Sequence, residues 1–170
     1  MFIDLASVGR SAKPLKAEFR QDEIDLELEG DLADPAKFRG EIFTDDIGVH
    51  VEGMITADVV GSCTRCLEPL TRRFEIAFKD VFVDAANESI DRETEIAVSD
   101  LDQSLVIGGR VELAEVVREQ ILLAMPEQIL CGEDCMGLCP KCGGNRNLVV
   151  CNCDREEIDP RWAGLEDLKS

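Results

Sequence analysis

The chain has 170 residues, 36 of them acidic and 18 basic, which gives a formal net charge of -18 at pH 7. Such an acidic protein repels nucleic acid at long range and attracts basic partners, because nucleic-acid affinity rests largely on contacts with phosphate. No segment approaches the roughly 20 apolar residues that span a bilayer, and 45% hydrophobic residues with clear periodicity exclude a disordered chain. We therefore expect a soluble, cytoplasmic protein that does not bind membranes.

The first part of the chain carries the period-2 alternation that is typical of β-strands. This pattern predicts a short strand at residues 2–5, a second at residues 24–28, where apolar and acidic residues alternate, and a third at residues 38–43. The basic residues within 10–16 predict a loop between the first two strands.

Two long strands with a Cys-x-x-Cys turn between them are predicted next. Residues 47–59 place apolar side chains on one face and polar ones on the other, so we interpret His50, on the polar face, as exposed. Cys63-Thr64-Arg65-Cys66 follows, and residues 74–78 predict the next strand. The tip of such a hairpin is a rigid place for a pair of metal ligands.

The pattern then changes to that of a helix. After a polar loop at residues 87–95 and a short strand at 104–107, apolar residues recur at helical spacing over 111–125, and Pro126 ends the helix. The fold class we expect is α+β, an antiparallel β-sheet covered by one main helix, with Cys-rich zinc knuckles.

The domain organisation follows from this order of elements. Residues 1–126 are expected to form the sheet and helix, with the first knuckle at 63–66. Residues 127–170 are expected to form a Cys-rich metal-binding segment and a short C-terminal helix, packed on the same domain. In that helix Asp159 is a candidate N-cap, and we expect Trp162 to pack on its own domain rather than on a partner.

Six of the eight cysteines lie within 131–153, a Gly-rich segment with too few large apolar residues to fold on a core of its own. Cys-x-x-Cys turns suit tetrahedral zinc, because its Zn–S bonds are only about 2.3 Å long. The glycines after Cys142 let backbone amides point toward the sulfurs. The sequence therefore predicts two zinc sites, one formed by Cys63, Cys66, Cys131 and Cys135 and one by Cys139, Cys142, Cys151 and Cys153.

Three other uses of these cysteines fit the sequence less well than zinc binding. Disulfides belong to secreted chains, and the start of this sequence has neither the basic residues nor the apolar core of a signal peptide. A redox Cys-x-x-Cys requires a βα context, whereas strands flank Cys63 and Cys66. An iron–sulfur cluster also takes four thiolates, but the knuckle-like spacing favours zinc.

Five cations adjoin the cysteines and are candidate contacts for RNA or a protein partner. They are Arg65, Arg72, Arg73, Lys141 and Arg146. If the two metal sites are neighbours, these cations form a basic patch on an acidic body. They would serve either to contact RNA or to neutralise the thiolates, and the sequence leaves both readings open.

Enzyme signatures are absent from the sequence. It has a single histidine, His50, and its Gly-Gly pairs lie outside any phosphate-binding pattern. Catalytic zinc keeps an open coordination position, whereas a complete four-cysteine site has none. No pair of carboxylates is singled out as an acid and a base. We expect a protein without enzymatic activity.

Three blocks together give the chain a resemblance to the YceD family, the large ribosomal RNA subunit accumulation proteins. The blocks are Gly61 with Cys63-x-Arg65-Cys66-Leu67-x-Pro69, the helix at 115–126, and Cys131-x-x-x-Cys135-x-Gly137-Leu138-Cys139-Pro140-x-Cys142-Gly143 with Asn145, Asn147, Cys151 and Cys153. The resemblance covers roughly residues 47–168. It implies a cytoplasmic protein needed for normal accumulation of large-subunit rRNA.

Our leading hypothesis is a non-enzymatic ribosome-assembly factor that binds two zinc ions. Its acidic body would hold a basic ribosomal protein of the large subunit, and its arginines would touch pre-ribosomal rRNA; no small-molecule substrate is indicated. A zinc-dependent regulator or zinc reservoir is the first alternative, and an RNA-processing enzyme is the second.

Overall fold

The structure is a computed structural model that describes residues 1–27, 30–87 and 103–153. Its elements in chain order are the strands β1 (Phe2–Asp4), β2 (Lys13–Phe19), β3 (Asp31–Leu32), β4 (Ala36–Thr44), β5 (Val49–Ser62), β6 (Pro69–Asp84), β7 (Gln103–Val106) and β8 (Arg110–Glu112) and the helix α1 (Leu113–Ala124). Single turns of 3-10 helix lie at Leu5–Ser7 and Ala85–Asn87. Among the described residues the fold combines β-sheet with one α-helix, as predicted for this part of the chain.

The main sheet is organised around the long β5–β6 hairpin. These strands pair without interruption from Val49 opposite Phe82 to Ser62 opposite Pro69, so the turn at 63–68 sits at the far end of a long ribbon. The strand order is β2-β4-β5-β6-β7, and β3 pairs with β5 beyond the end of β4. β1 and β8 form a separate two-stranded sheet.

The prediction of a purely antiparallel sheet is wrong at one edge, because β7 runs parallel to β6. Parallel neighbours require a crossover connection, and the interval between Asp84 and Gln103 is long enough for one. A period-2 pattern reports which face of a strand is buried but not the direction of its neighbour. The remaining pairs in the main sheet are antiparallel.

Residues 13–19, within and just after the segment predicted as a basic loop, form the edge strand β2 instead. Leu15, Ala17 and Phe19 share the partly or fully buried face of the strand, with Lys13 exposed at its outer end, whereas Lys16 and Glu18 lie exposed on the opposite face. Lysine and proline on an edge strand discourage pairing with another chain. The charge that suggested a loop is therefore typical of an edge.

The strand predicted at residues 24–28 is also wrong in its described part. Ile24 and Leu26 are fully buried, as their alternation indicates, but the segment pairs with no strand. It is held instead by Arg118 of α1, whose Nε donates to the Asp25 carbonyl at 2.6 Å and whose guanidinium pairs with Glu27 at 2.6 Å. The alternation reported burial against the helix rather than membership of a sheet.

The core lies between the sheet and α1. The predicted inner face of β5 is buried at every position within the strand, namely Val49, Val51, Ile55, Ala57 and Val59. Ile47, assigned to the same face, is 58% exposed because it precedes the strand in a turn that the Asp45 carboxylate organises. The helix contributes Leu113, Ala114, Val117 and Ile121 to this core.

The helix begins two residues later than predicted, because Val111 belongs to β8. His50 is not the exposed residue that the sequence suggested: its side chain is 14% exposed, stacked on Phe43 with ring centroids 4.7 Å apart. Phe43 and His50 face each other across the β4–β5 pair, which explains the contact.

Two predicted elements fall outside the described residues, the loop at 87–95 beyond Asn87 and the C-terminal helix that contains Trp162. Within the part of the chain that the structure covers, no helix is long and apolar enough to cross a membrane.

We expect Arg118→Ala to lower the free energy of unfolding by about 1–3 kcal/mol, because it removes charge-assisted hydrogen bonds that fix residues 20–27 on the helix. Urea denaturation measures the change. Arg39→Ala, at an exposed position on β4, is the control and should stay within about 0.5 kcal/mol of the wild type. Equal stabilities of the two variants would contradict this role.

Candidate metal centre

The first cysteine turn closes the β5–β6 hairpin. The Cys63 amide donates to the Glu68 carbonyl at 2.9 Å, and the Leu67 amide donates back to the Cys63 carbonyl at 2.9 Å. Leu67 adopts a left-handed conformation with φ of 61°, which costs a non-glycine residue on the order of 1 kcal/mol or more. The turn is thus bent tightly around its sulfurs at some energetic cost.

The second turn repeats this backbone pattern. The Cys139 amide donates to the Gly144 carbonyl at 2.8 Å, and the Gly143 amide donates to the Cys139 carbonyl at 2.8 Å. Gly143 has a φ of 71° and stands at the position that Leu67 holds in the first turn. Two segments that are far apart in sequence therefore fold into the same hydrogen-bonded turn, each beginning with a buried cysteine.

Four sulfurs come together where the hairpin tip meets the chain that follows α1. They belong to Cys63, Cys66, Cys131 and Cys135 and lie within 4.8 Å of one another. The Cys63–Cys135 and Cys66–Cys131 sulfur pairs are each 3.7 Å apart. A regular tetrahedron with Zn–S bonds of about 2.3 Å has edges of about 3.8 Å, whereas a disulfide bond is about 2 Å long. The spacing fits a shared metal ion.

A second group of four sulfurs lies next to the first in the chain. It comprises Cys139, Cys142, Cys151 and Cys153, again within 4.8 Å of one another. Only Cys139 is buried; Cys142 is exposed, and the other two are partly exposed. The structure thus groups the cysteines into the two sets that their spacing predicts, and either group can hold a metal ion.

The first cysteine of each turn has a lowered pKa, so its thiol loses its proton readily. Burial raises the pKa of Cys63, but backbone amides, among them that of Cys66, outweigh it and lower the pKa to about 6. The backbone amides of Cys142 and Lys141 lower the pKa of Cys139 to about 6 as well. A thiolate surrounded by N–H donors is the form in which cysteine binds metals.

In each group one cysteine has a raised pKa and therefore keeps its proton at neutral pH. Interactions with the Cys135 and Cys66 sulfurs raise the pKa of Cys131 to about 12. In the second group, Cys142 leads the interactions that raise the pKa of Cys153 to about 12. Four adjacent thiols cannot all ionise unless a cation offsets their mutual repulsion. A divalent metal ion supplies that charge and displaces the remaining protons.

The two groups are neighbours because only residues 136–138 separate Cys135 from Cys139. The Leu138 amide donates to the Arg65 carbonyl at 2.9 Å, which lays this connection against the first turn. Gly137 has a φ of 68°, and a Cβ atom there would lie 2.9 Å from the Arg65 carbonyl oxygen. The close approach requires glycine at this position.

Asn147 is a functional candidate that the sequence reasoning did not single out. Its amide donates to the Cys135 sulfur at 3.3 Å and is the leading cause of the lowered pKa of that thiol. Asn145 and Asn147 were part of the motif that carried the family resemblance, but spacing alone gave neither a role.

The five candidate cations divide into two sets by their place in the fold. Arg65 and Arg146 flank the connection at 136–138, where their guanidinium groups donate to the carbonyls of Cys135 and Met136 respectively. Lys141 is exposed in the second turn, at the position that Arg65 holds in the first. These three cations share the cysteine-rich region.

Arg72 and Arg73 are adjacent in β6 and therefore project from opposite faces of the sheet. Arg73 pairs with Glu75 at 3.1 Å and approaches Asp58 at 3.8 Å, so part of its charge is already offset.

Comparison with known proteins assigns the family. The family model described as "Large ribosomal RNA subunit accumulation protein YceD" matches residues 51–169. The chain is 32% identical to an uncharacterized protein of Mycobacterium tuberculosis, over 71% of this chain and 56% of that protein. It is 27% identical to the uncharacterized protein YlbN of Bacillus subtilis, over 79% of this chain and 74% of that protein.

A shorter match, 32% identical over 35% of this chain and 18% of the relative, is to a chloroplastic protein of Arabidopsis thaliana named large ribosomal RNA subunit accumulation protein YCED homolog 1. The chain spans about half the length of the mycobacterial relatives that it matches. No solved structure matches it. Because the family match covers well over half of the chain and includes both cysteine groups, the chain belongs to the YceD family of large ribosomal RNA subunit accumulation proteins.

Proposed function

We propose that this protein is a non-enzymatic, cytoplasmic ribosome-assembly factor that supports accumulation of large-subunit rRNA and requires two zinc ions. Membership of the YceD family carries the proposal. The Arabidopsis relative, which bears the same functional name, supports it from a shorter match. The two groups of four clustered sulfurs support the metal requirement.

The first zinc ion joins distant parts of the chain. Its ligands come from the hairpin tip and from the segment after α1, where Thr64 also donates to the Ile129 carbonyl at 2.8 Å. Structural zinc supplies roughly 10–16 kcal/mol of apparent folding free energy. In this proposal the metal holds the segment 127–170 on the sheet domain formed by residues 1–126. Iron would fit the same sulfurs, and metal analysis separates the two.

The partners we propose follow from charge. An acidic body with a net charge of -18 favours a basic ribosomal protein. The cysteine-rich region presents three cations, Arg65, Lys141 and Arg146, beside the exposed apolar side chains Leu67 and Met136, and it carries exposed carboxylates at Glu68, Glu133 and Asp134 as well. Cations next to apolar surface suit rRNA, where phosphates and base faces are both available.

A zinc-dependent regulator is the second candidate function, and one observation favours it. Three of the four cysteines in the second group are exposed or partly exposed, so its metal is open to exchange. Rapid loss of one zinc ion to a mild chelator, with the fold intact, would support this role.

Native mass spectrometry should show two zinc ions per chain. Cys66→Ser and Cys142→Ser should each leave one, because a three-thiolate site binds the metal far more weakly. Thr64→Ser, which keeps the hydroxyl that bonds Ile129, is the control and should retain both ions. One ion, none, or iron in the wild type would reject the two-zinc proposal.

The two cysteine variants should differ in stability. Cys66→Ser opens the link between residues 66 and 131 and should lower the denaturation midpoint of the whole domain, since a long loop is released. Cys142→Ser should loosen mainly residues 139–153, so the midpoint should fall by less than it does in Cys66→Ser. Urea denaturation measures the first effect and amide hydrogen exchange the second. The reverse order would contradict the proposed division of roles.

The charge-reversal pair Arg65→Glu and Lys141→Glu should abolish retention of rRNA when tagged protein is captured from growing cells, because it removes cations from the cysteine-rich region. Lys13→Glu with Lys37→Glu, exposed on β2 and β4, changes the net charge equally and should leave retention intact. Zinc content must stay at two in both. Equal retention by the two variants would exclude this region as the rRNA contact.

Nuclease treatment of the same capture tests the acidic body. We expect a basic ribosomal protein of the large subunit to remain bound after digestion, since its attraction to the carboxylates does not depend on RNA. Loss of all ribosomal material on digestion would instead make rRNA the direct ligand of the protein.

A further inference from the structure

Asn147 belongs to one cysteine group by its place in the chain and to the other by its contacts. It lies in the loop between Cys142 and Cys151, both ligands of the second group. Its side-chain carbonyl accepts from the Met136 amide at 2.8 Å, and its side-chain N–H donates to the Cys135 sulfur of the first group at 3.3 Å.

The orientation of this amide group is determined by its neighbours. A backbone N–H can only donate, so the oxygen of Asn147 must face Met136 and the nitrogen must face the sulfur. Asn145 reinforces this arrangement, because its carbonyl accepts from both the backbone and the side chain of Asn147 at 3.0 and 2.9 Å. Asn145 in turn donates to Glu68, next to the first cysteine turn, at 3.1 Å.

The loop that carries Asn147 has little apolar burial to hold it in place. Leu148 and Val150 are 74% and 98% exposed. Apart from a few hydrogen bonds, such as the one from the Arg146 amide to the Gly137 carbonyl at 2.9 Å, the loop is fixed at its ends by Cys142 and Cys151. Metal bound by the second group would close this loop and hold Asn147 against Cys135.

We propose that Asn147 couples the two metal sites, so that a metal ion in the second group strengthens binding in the first. A site of four thiolates and one divalent cation carries excess negative charge at sulfur, which an N–H donor offsets. Loss of an outer partner of this kind typically weakens metal binding by about 10- to 100-fold. Because coupling is reciprocal, a metal ion in the first group strengthens binding in the second by the same factor.

This inference rests on the proposed binding of two metal ions, and Co2+ titration of the full metal-free chain tests both. Cys142→Ser reports the affinity of the first site alone, and Cys66→Ser reports that of the second. The affinity of the wild type for two ions, divided by the product of these single-site affinities, is the coupling factor. We expect a coupling factor of about 10 to 100.

Introducing Asn147→Ala into the wild type and both single-site variants should lower the coupling factor to about 1. Asn152→Ala, at an exposed position between Cys151 and Cys153, is the matched control and should leave the coupling unchanged. In the Cys66→Ser background, Asn147→Ala should not change the affinity of the second site for Co2+. An unchanged affinity would show that the loop still folds without the Asn147 side chain.

The outcomes separate the two proposals. Two bound Co2+ ions with a coupling factor near 1 in the wild type, or with a factor that Asn147→Ala leaves intact, overturn the coupling alone. Failure of the wild type to bind two ions overturns the metal requirement and the coupling with it.

Discussion

The convergence of four sulfurs from two distant segments of the chain is the constraint on which the rest of the cysteine-rich region depends. Cys63 and Cys66 lie at the tip of a long hairpin, and Cys131 and Cys135 follow the only helix among the described elements. Without a cation the group cannot release all its protons, as the pKa of about 12 at Cys131 indicates. A divalent metal ion bound by these sulfurs would supply that charge and would link the hairpin tip to the segment after the helix.

The repeated turn explains how unrelated flanking structures present the same ligands. In both turns the amide N–H of the first cysteine donates a hydrogen bond to the carbonyl of the fifth residue beyond it, which folds the backbone over the sulfur. Gly143 adopts the required left-handed conformation readily, whereas Leu67 does so only because the strands of the hairpin hold it there.

The errors in the predicted fold have a common physical cause. Alternation at residues 24–28 and charge within 10–16 report the environment of side chains correctly, yet backbone pairing depends on partners elsewhere in the chain. Arg118 holds the segment at 24–28 on the helix by a hydrogen bond to the Asp25 carbonyl. The basic segment pairs with β4 and forms an edge strand. The direction of β7 is likewise decided by a connection whose path no local pattern encodes.

The sequence by itself determined the faces of the long strands, the helix, the Cys-x-x-Cys turns and the opposite directions of Arg72 and Arg73 on β6, because burial periodicity and spacing within a turn are local properties of the chain. Only the tertiary structure decided that the hairpin tip with Cys63 and Cys66 meets Cys131 and Cys135 after the helix, since residues so distant in sequence come together only when the chain folds. It also decided that Asn147 meets Cys135, a contact between two cysteine groups that depends on how the chain folds back on itself.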